Sequence, residues 1–135
     1  MSAAPVNIVR AWTTAAKAFD AEALVALAPE DFEMVTMHRG IQRGHDAVRS
    51  WAARQTFGVA MHVDVCRYFH RDDTVVAETR IEWRDVETGE LAESGDGAAV
   101  FVVRDGLVAS IAVHPDLVSA LSSAGISETD GPELP

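Results

Sequence analysis

The sequence predicts an α+β fold, with helices near the N-terminus packed on a mostly antiparallel sheet. Apolar residues recur every three to four positions in the first third of the chain and at every second position from Met61 onward. Turn signals such as Asp105-Gly106 separate the later segments, and such short turns join antiparallel strands. Helices followed by hairpin-linked strands are typical of the α+β class.

Three helices are predicted before the strand-rich part. The first covers residues 5–19, because Pro5 suits the first turn of a helix and the apolar residues that follow fall on one face. The second covers residues 21–27 and ends before Pro29. The third covers residues 46–57, and either His45 or Asp46 would cap it.

Five strands and one further helix complete the predicted fold. Period-two alternation is clearest at 75–83, and the segment at 98–104 is an almost unbroken apolar run. A loop is predicted at 40–44, and a short helix runs from Leu117 toward Gly125. The strands are predicted at residues 32–38, 61–69, 75–83, 98–104 and 107–113.

Composition indicates a single domain over residues 1–126, followed by an acidic tail at 127–135 that we expect to be disordered. The net charge of −10 argues against nucleic-acid binding, which depends on Lys and Arg. No apolar run approaches the roughly 18 residues that span a membrane, and no signal peptide is evident. The single Cys66 fits a reducing cytoplasm. We therefore expect a cytoplasmic protein.

The order of elements resembles the nuclear transport factor two superfamily. The marks are Trp12 in the opening helix, the segment FDAEALVALAPEDFEMV, the loop IQRGHDAVRSW and the late hairpin VFVVRDGLVASIAV. Within that superfamily, VHPDLVSALSSAGI is similar to the end of SnoaL-like polyketide cyclases. The resemblance implies a cone-shaped α+β barrel, with helices on a curved sheet, and a homodimer formed through the outer face of that sheet.

The resemblance also allows the enzyme branches of the superfamily to be compared with this chain. Ketosteroid isomerases use a Tyr, an Asp base and a late-strand acid, which correspond here to Trp12, Thr36 and a position near Val100. None of these residues can do that chemistry. Epoxide hydrolases of this fold use an Asp–Arg–Asp trio, and no such inward-facing trio is predicted. The acid/base Asp of SnoaL-like cyclases corresponds to Asp116.

Asp116 has two explanations. It directly precedes the helix at Leu117, where a carboxylate accepts hydrogen bonds from free backbone N–H groups, and this capping role is favoured. As a general acid/base it would instead need partial burial, which raises its pKa toward neutral pH. His38 is the second catalytic candidate, because its strand position matches Thr36 and imidazole titrates near neutrality. A structural histidine with a backbone partner is the alternative.

Large apolar residues should converge between the helices and the sheet. They form either a closed core or an apolar cavity with three sparse polar anchors, and the abundance of tryptophan favours a cavity. The predicted substrate-binding residues are Trp12, Phe19, Phe32, Met34, Thr36, Trp51, Gln55, Thr79, Trp83, Ile111 and Val113.

The predicted partner is a small apolar ligand or substrate. The functional hypothesis is a cofactor-independent cyclase, isomerase or dehydratase acting on an apolar carbonyl compound, and the alternative is a non-catalytic binding or dimerisation module. No metal and no cofactor are expected. His62, Asp64 and His114 formally match an iron-binding pattern, but chance explains it better, and His62, Asp64 and Tyr68 are expected opposite the pocket.

Overall fold

The computed structural model describes residues 4–36, 39–53, 55–56 and 58–129, although not the side chains of residues 55 and 56. Four helices and seven strands make up this part of the chain. In chain order they are α1 (Pro5–Lys17), α2 (Ala21–Ala26), β1 (Glu33–Thr36), β2 (Gly40–Arg43), α3 (Gly44–Ala53), β3 (Gln55–Thr56), β4 (Val59–Arg71), β5 (Thr74–Asp85), β6 (Leu91–Arg104), β7 (Leu107–His114) and α4 (Leu117–Ala124).

The strands form one sheet in the order β2-β1-β7-β6-β5-β4-β3. Neighbouring strands pair antiparallel except β1 and β7, which are parallel. The α+β prediction, with helices on a mostly antiparallel cone-like sheet, is confirmed. The strand order is linear in the described residues, so the sheet stays open between β2 and β3.

Several predicted boundaries differ from the structure. The third helix, predicted at 46–57, runs over Gly44–Ala53, because the chain pairs with β4 at Gln55–Thr56 and forms strand β3 there. Helix α1 ends at Lys17 because Phe19 has a φ of 53°, a left-handed conformation that no helix continues through. The predicted loop at 40–44 is largely strand β2. Gly40, with a φ of 63°, reverses the chain, and Ile41 and Gln42 then pair with β1.

Strand β6 also begins seven residues earlier than predicted, at Leu91 rather than residue 98. Its first six residues are all exposed, so no buried face produces the alternation that would have revealed them. They are held by pairing with β5, for example Arg80 with Asp96 and Glu82 with Ser94. Backbone pairing with β5, rather than burial of an apolar face, therefore keeps this part of the chain in a strand.

The pairing of β4 with β5 contains a bulge at Cys66. Val65 lies opposite Thr79 and Arg67 lies opposite Glu78, so Cys66 is an extra residue on the β4 side. The bulge reverses the alternation, and Tyr68 turns to the side of the sheet that faces α1. The prediction that Tyr68 lies opposite the pocket is therefore wrong: only 1% of Tyr68 is exposed, within the core beneath the helices.

The sheet has two buried faces. The inner face packs against α1, α2 and α3 and forms the larger cluster, with Trp12, Leu24, Phe32 and Val48 among its helix-side members. The outer face packs against α4 and forms a smaller cluster, which includes Phe69. No helix of the described residues is long and apolar enough to span a membrane.

Removal of the Phe32 ring by mutation tests how much this residue stabilises the inner core. Phe32 is fully buried and its ring stacks on that of Trp12, with centroids 5.6 Å apart. Phe32→Ala should lower the free energy of unfolding by about 3–5 kcal/mol, measured by urea denaturation. The control Ile41→Ala, at a residue that is 56% exposed, should change it by no more than about 0.5 kcal/mol. Equal losses for both variants would contradict this description of the core.

Candidate functional site

A cavity of about 370 Å³ lies between the inner face of the sheet, α1 and α3. Its walls are mainly apolar, which is typical of sites that enclose a small molecule. The described residues that line it are Trp12, Thr13, Ala16, Met34, Thr36, Arg39, Gln42, Ser50, Trp51, Met61, Val63, Val65, Ala77, Thr79, Ile81, Trp83, Ala98, Ala99, Phe101, Ile111 and Val113.

Two paired strands provide a continuous apolar wall. Met61, Val63 and Val65 of β4 lie opposite Trp83, Ile81 and Thr79 of β5, respectively. Because side chains on a strand alternate between faces, one register places both sets of residues inward. The alternating pattern in the sequence therefore becomes the wall of the cavity.

All three tryptophans of the chain line the cavity. The Trp12 and Trp51 ring centroids lie 6.1 Å apart, so the two rings are in contact. The indole nitrogen of Trp12 is buried and has no hydrogen-bond partner among the described residues. A buried donor without a partner costs about 1–3 kcal/mol, so this N–H lowers the stability of the fold by an amount of that order.

Few polar groups interrupt the apolar lining, and Thr79 is the most informative of them. Thr79 is only 7% exposed, and its hydroxyl makes no hydrogen bond within the described chain. Thr79 lines the cavity, so its small exposed area faces that space. Thr79 therefore offers a free hydroxyl to a molecule in the cavity.

Gly97 lies beside this hydroxyl, directly across from Thr79 in the sheet. A Cβ atom at position 97 would lie 3.4 Å from Thr79 Oγ1 and 3.5 Å from Ile81 Cδ1. The backbone of Gly97 is outside the left-handed region, so glycine is not required there for conformation. Its lack of a side chain leaves room next to Thr79.

A second hydroxyl in the wall, that of Thr13, is already hydrogen-bonded within the protein. Thr13 Oγ1 donates to the carbonyl oxygen of Arg10 at 3.0 Å and lies 2.8 Å from Tyr68 Oη. The two hydroxyls therefore share a hydrogen bond in which either can be the donor. Burial raises the pKa of Tyr68 above its ordinary value of 10.0 and outweighs the opposite effects of Thr13 and of the positive charges of Arg10 and Lys17.

The only charged side chain among the described lining residues is Arg39. This part of the lining contains no Asp, Glu or His, so it supplies no group that exchanges protons near neutral pH. His38, one of the two predicted catalytic residues, lies outside the described residues. The described wall can bind and orient a molecule, but proton transfer would need a group from elsewhere.

Asp116, the other predicted catalytic residue, caps helix α4 and does not line the cavity. Its Oδ1 accepts a hydrogen bond of 2.7 Å from the backbone N–H of Ser119. That bond, with the Ser119 side chain and nearby His114, holds the pKa of Asp116 below its usual value. The capping explanation is therefore confirmed, and a carboxylate with a lowered pKa is a weaker base.

Most of the predicted binding residues do line the cavity, with two corrections. Phe32 stacks on Trp12 within the closed core. Phe19, which has a left-handed backbone, packs its ring at a steep angle to that of His62 with the centroids 5.3 Å apart, and it does not line the cavity. The Gln55 side chain lies outside the described part. The predicted residues that line the cavity are Trp12, Met34, Thr36, Trp51, Thr79, Trp83, Ile111 and Val113.

His62, Asp64 and His114 lie away from the cavity lining. Asp64 forms an ion pair with Lys17 at 3.0 Å, and no three side chains of metal-binding type come together in the described chain. The formal iron-binding pattern in the sequence therefore has no counterpart in the described structure.

Arg39, Gln42 and Ser50 are lining residues that the sequence analysis missed. They lie in the β1–β2 turn, in β2 and in α3. The positions of Arg39 and Gln42 depend on the reversal of the chain at Gly40. No periodic pattern marks such a turn. By contrast, Met61 and Val63 also line the cavity and could have been predicted, because they alternate with polar residues along a strand.

An open sheet covered by helices on its inner face, with an apolar cavity between them, defines a class of small α+β proteins that hold a ligand inside the fold. The SnoaL-like domain family matches residues 9–111, which is most of the chain. The chain therefore belongs to the SnoaL-like family, and the resemblance found in the sequence is confirmed. No curated protein is significantly similar to it in sequence.

Solved structures share the fold at low sequence identity. A polyketide cyclase candidate from Xanthomonas campestris is 21% identical, with a TM-score of 0.70 over 87% of this chain and 94% of its own. A Mycobacterium tuberculosis epoxide hydrolase is 19% identical, with a TM-score of 0.69 over 90% and 94%. A Catenulispora acidiphila protein with a ketosteroid isomerase-like fold, solved with trimethylamine, is 22% identical, with a TM-score of 0.67 over 89% and 93%.

The buried phenol of Tyr68 predicts a specific pH dependence. Because its pKa in the folded protein is raised, its contribution to stability is complete below pH 10.0 and is lost as the pH rises through the higher folded value. Tyr68 is the only tyrosine, so tyrosinate absorbance reports it alone. We expect its titration midpoint to lie higher in the native protein than in urea, and equal midpoints would contradict its burial.

The capping role of Asp116 predicts that two substitutions differ. Asp116→Ala removes the acceptor for the Ser119 N–H and should lower the melting temperature, whereas Asp116→Asn keeps a capping group and should lower it less. Because the folded pKa of Asp116 is lowered, the wild-type advantage over Asp116→Ala should be complete above about pH 4 and fade as the pH falls further. Identical thermal unfolding of the two variants would argue against the cap.

Proposed function

We propose that this protein binds a small, largely apolar, oxygen-bearing molecule in the inner cavity. The observation that carries the proposal is the cavity itself, about 370 Å³ with walls made mainly of apolar side chains. Ligand pockets in proteins occupy about 300–1,000 Å³ and have this composition. A space of this kind left in a folded core loses packing contacts, which a bound molecule restores.

The polar groups of the cavity support an oxygen-bearing ligand. The free hydroxyl of Thr79 can donate to a carbonyl or ether oxygen, and the Trp51 and Trp83 rings offer flat surfaces to a planar body. A buried polar group without a protein partner favours ligands that can form a hydrogen bond with it. An apolar carbonyl compound of modest size therefore matches the cavity.

Blocking the cavity tests this proposal. Ala99→Leu places a larger side chain in the wall, and it should weaken the binding of 2-tetralone, an apolar ketone, by about tenfold or more in isothermal titration calorimetry. The matched control Ala11→Leu, on the exposed side of α1, should bind like the wild type. Unchanged affinity in Ala99→Leu would contradict binding in the cavity.

The second candidate is acid/base catalysis on the bound carbonyl compound. Structural neighbours include several proteins named as polyketide cyclase candidates, which favours this chemistry. The described lining offers no carboxylate or imidazole, and Asp116 caps a helix elsewhere. We assign the proton transfer to His38, which follows the lining residue Thr36 in the chain.

Proton exchange separates catalysis from binding. A catalytic His38 would remove a proton next to the carbonyl of 2-tetralone, and return of deuterium from D₂O gives exchange visible by NMR. His38→Gln should abolish this exchange while leaving calorimetric affinity unchanged. Wild-type protein that binds 2-tetralone without accelerating exchange would establish the non-catalytic alternative.

A further inference from the structure

One cation stands at the cavity without a partner. Arg39 lines the cavity, is exposed, and its guanidinium forms no ion pair or hydrogen bond within the described chain. The other basic residues mostly differ: Arg43 pairs with Glu33 at 3.0 Å, Arg67 with Glu78 at 3.0 Å, and Lys17 with Asp64 at 3.0 Å. An unpaired cation is notable in a protein with a net charge of −10.

The backbone holds Arg39 at this position. The backbone N–H of Arg39 donates to Thr36 Oγ1 at 3.1 Å, and Thr36 itself lines the cavity. Gly40 then reverses the chain with its φ of 63°, which leads into the β1–β2 pairing. The backbone of Arg39 is thus anchored to a residue of the cavity wall, within reach of the cavity for its side chain.

The surroundings of Arg39 favour an anion. No described lining residue carries a negative charge, so nothing in the lining competes for the guanidinium. Gln42 and Ser50, from β2 and α3, add neutral hydrogen-bonding groups to the same lining. A guanidinium recognises carboxylate oxygens through paired, charge-assisted hydrogen bonds.

We propose that the ligand is an apolar molecule with one carboxylate group, its body in the cavity and its carboxylate on Arg39. This inference rests on the proposed function and adds the charge of the ligand to it. The negative net charge of the protein repels anions at long range, so Arg39 supplies the local attraction that such a ligand needs.

Two probes of nearly the same shape test the inference. 2-Naphthoate carries a carboxylate, and 2-naphthamide replaces it by a neutral amide on the same ring system. In calorimetry at low salt, wild-type protein should bind the carboxylate about fivefold or more tightly than the amide, and added salt should reduce this preference. Arg39→Gln should remove the preference and leave amide affinity unchanged.

Arg104→Gln is the matched control, because it removes one positive charge from an exposed residue at the end of β6 that does not line the cavity. It should keep the preference for the carboxylate. If Arg39→Gln bound 2-naphthoate as tightly as the wild type does, the inference would be overturned and the cavity-binding proposal would remain. Failure of the wild type to bind either probe, or unchanged binding of both by Ala99→Leu, would instead overturn the proposed function and this inference with it.

Discussion

The bulge at Cys66 is the constraint on which the two-faced packing of the sheet depends. Without the extra residue, regular alternation would turn Tyr68 outward and Phe69 inward. With it, Tyr68 hydrogen-bonds to Thr13 of α1 on the inner face, and Phe69 packs beneath α4 on the outer face. The same strand, before the bulge, presents Met61 to Val65 to the cavity. One inserted residue therefore lets β4 contribute to the cavity wall, to the contact with α1 and to the outer core.

The fold was predictable because its signals are periodic and local. Apolar spacing located α1, and alternation located β5, whose inner residues from Ala77 to Trp83 do line the cavity. The features that escaped prediction have no periodic signal. The bulge at Cys66 looks like ordinary alternation in the sequence. Gly40 predicts a loop because glycine favours turns, although in the structure it begins a strand pairing.

The candidate site shows the same division. The alternation of side chains along the strands predicts its apolar wall. Arg39, the only charged residue in the described lining, instead lies next to Gly40, and its backbone N–H bonds to Thr36. Asp116 is the opposite case, since a strong local signal for a helix cap competed with a resemblance to a family acid. The local hydrogen bond to Ser119 decided its role, because backbone N–H groups at a helix start are close at hand and need a partner.

Gly97 affects the space available next to the Thr79 hydroxyl. Its backbone conformation is open to any residue, and the space beside it borders the Thr79 hydroxyl. A single methyl group there would narrow the cavity next to its buried hydroxyl without a change of strand pairing. If the cavity binds a small molecule as proposed, one substitution at position 97 would change the size of molecule that fits, while the residues of the core stay the same.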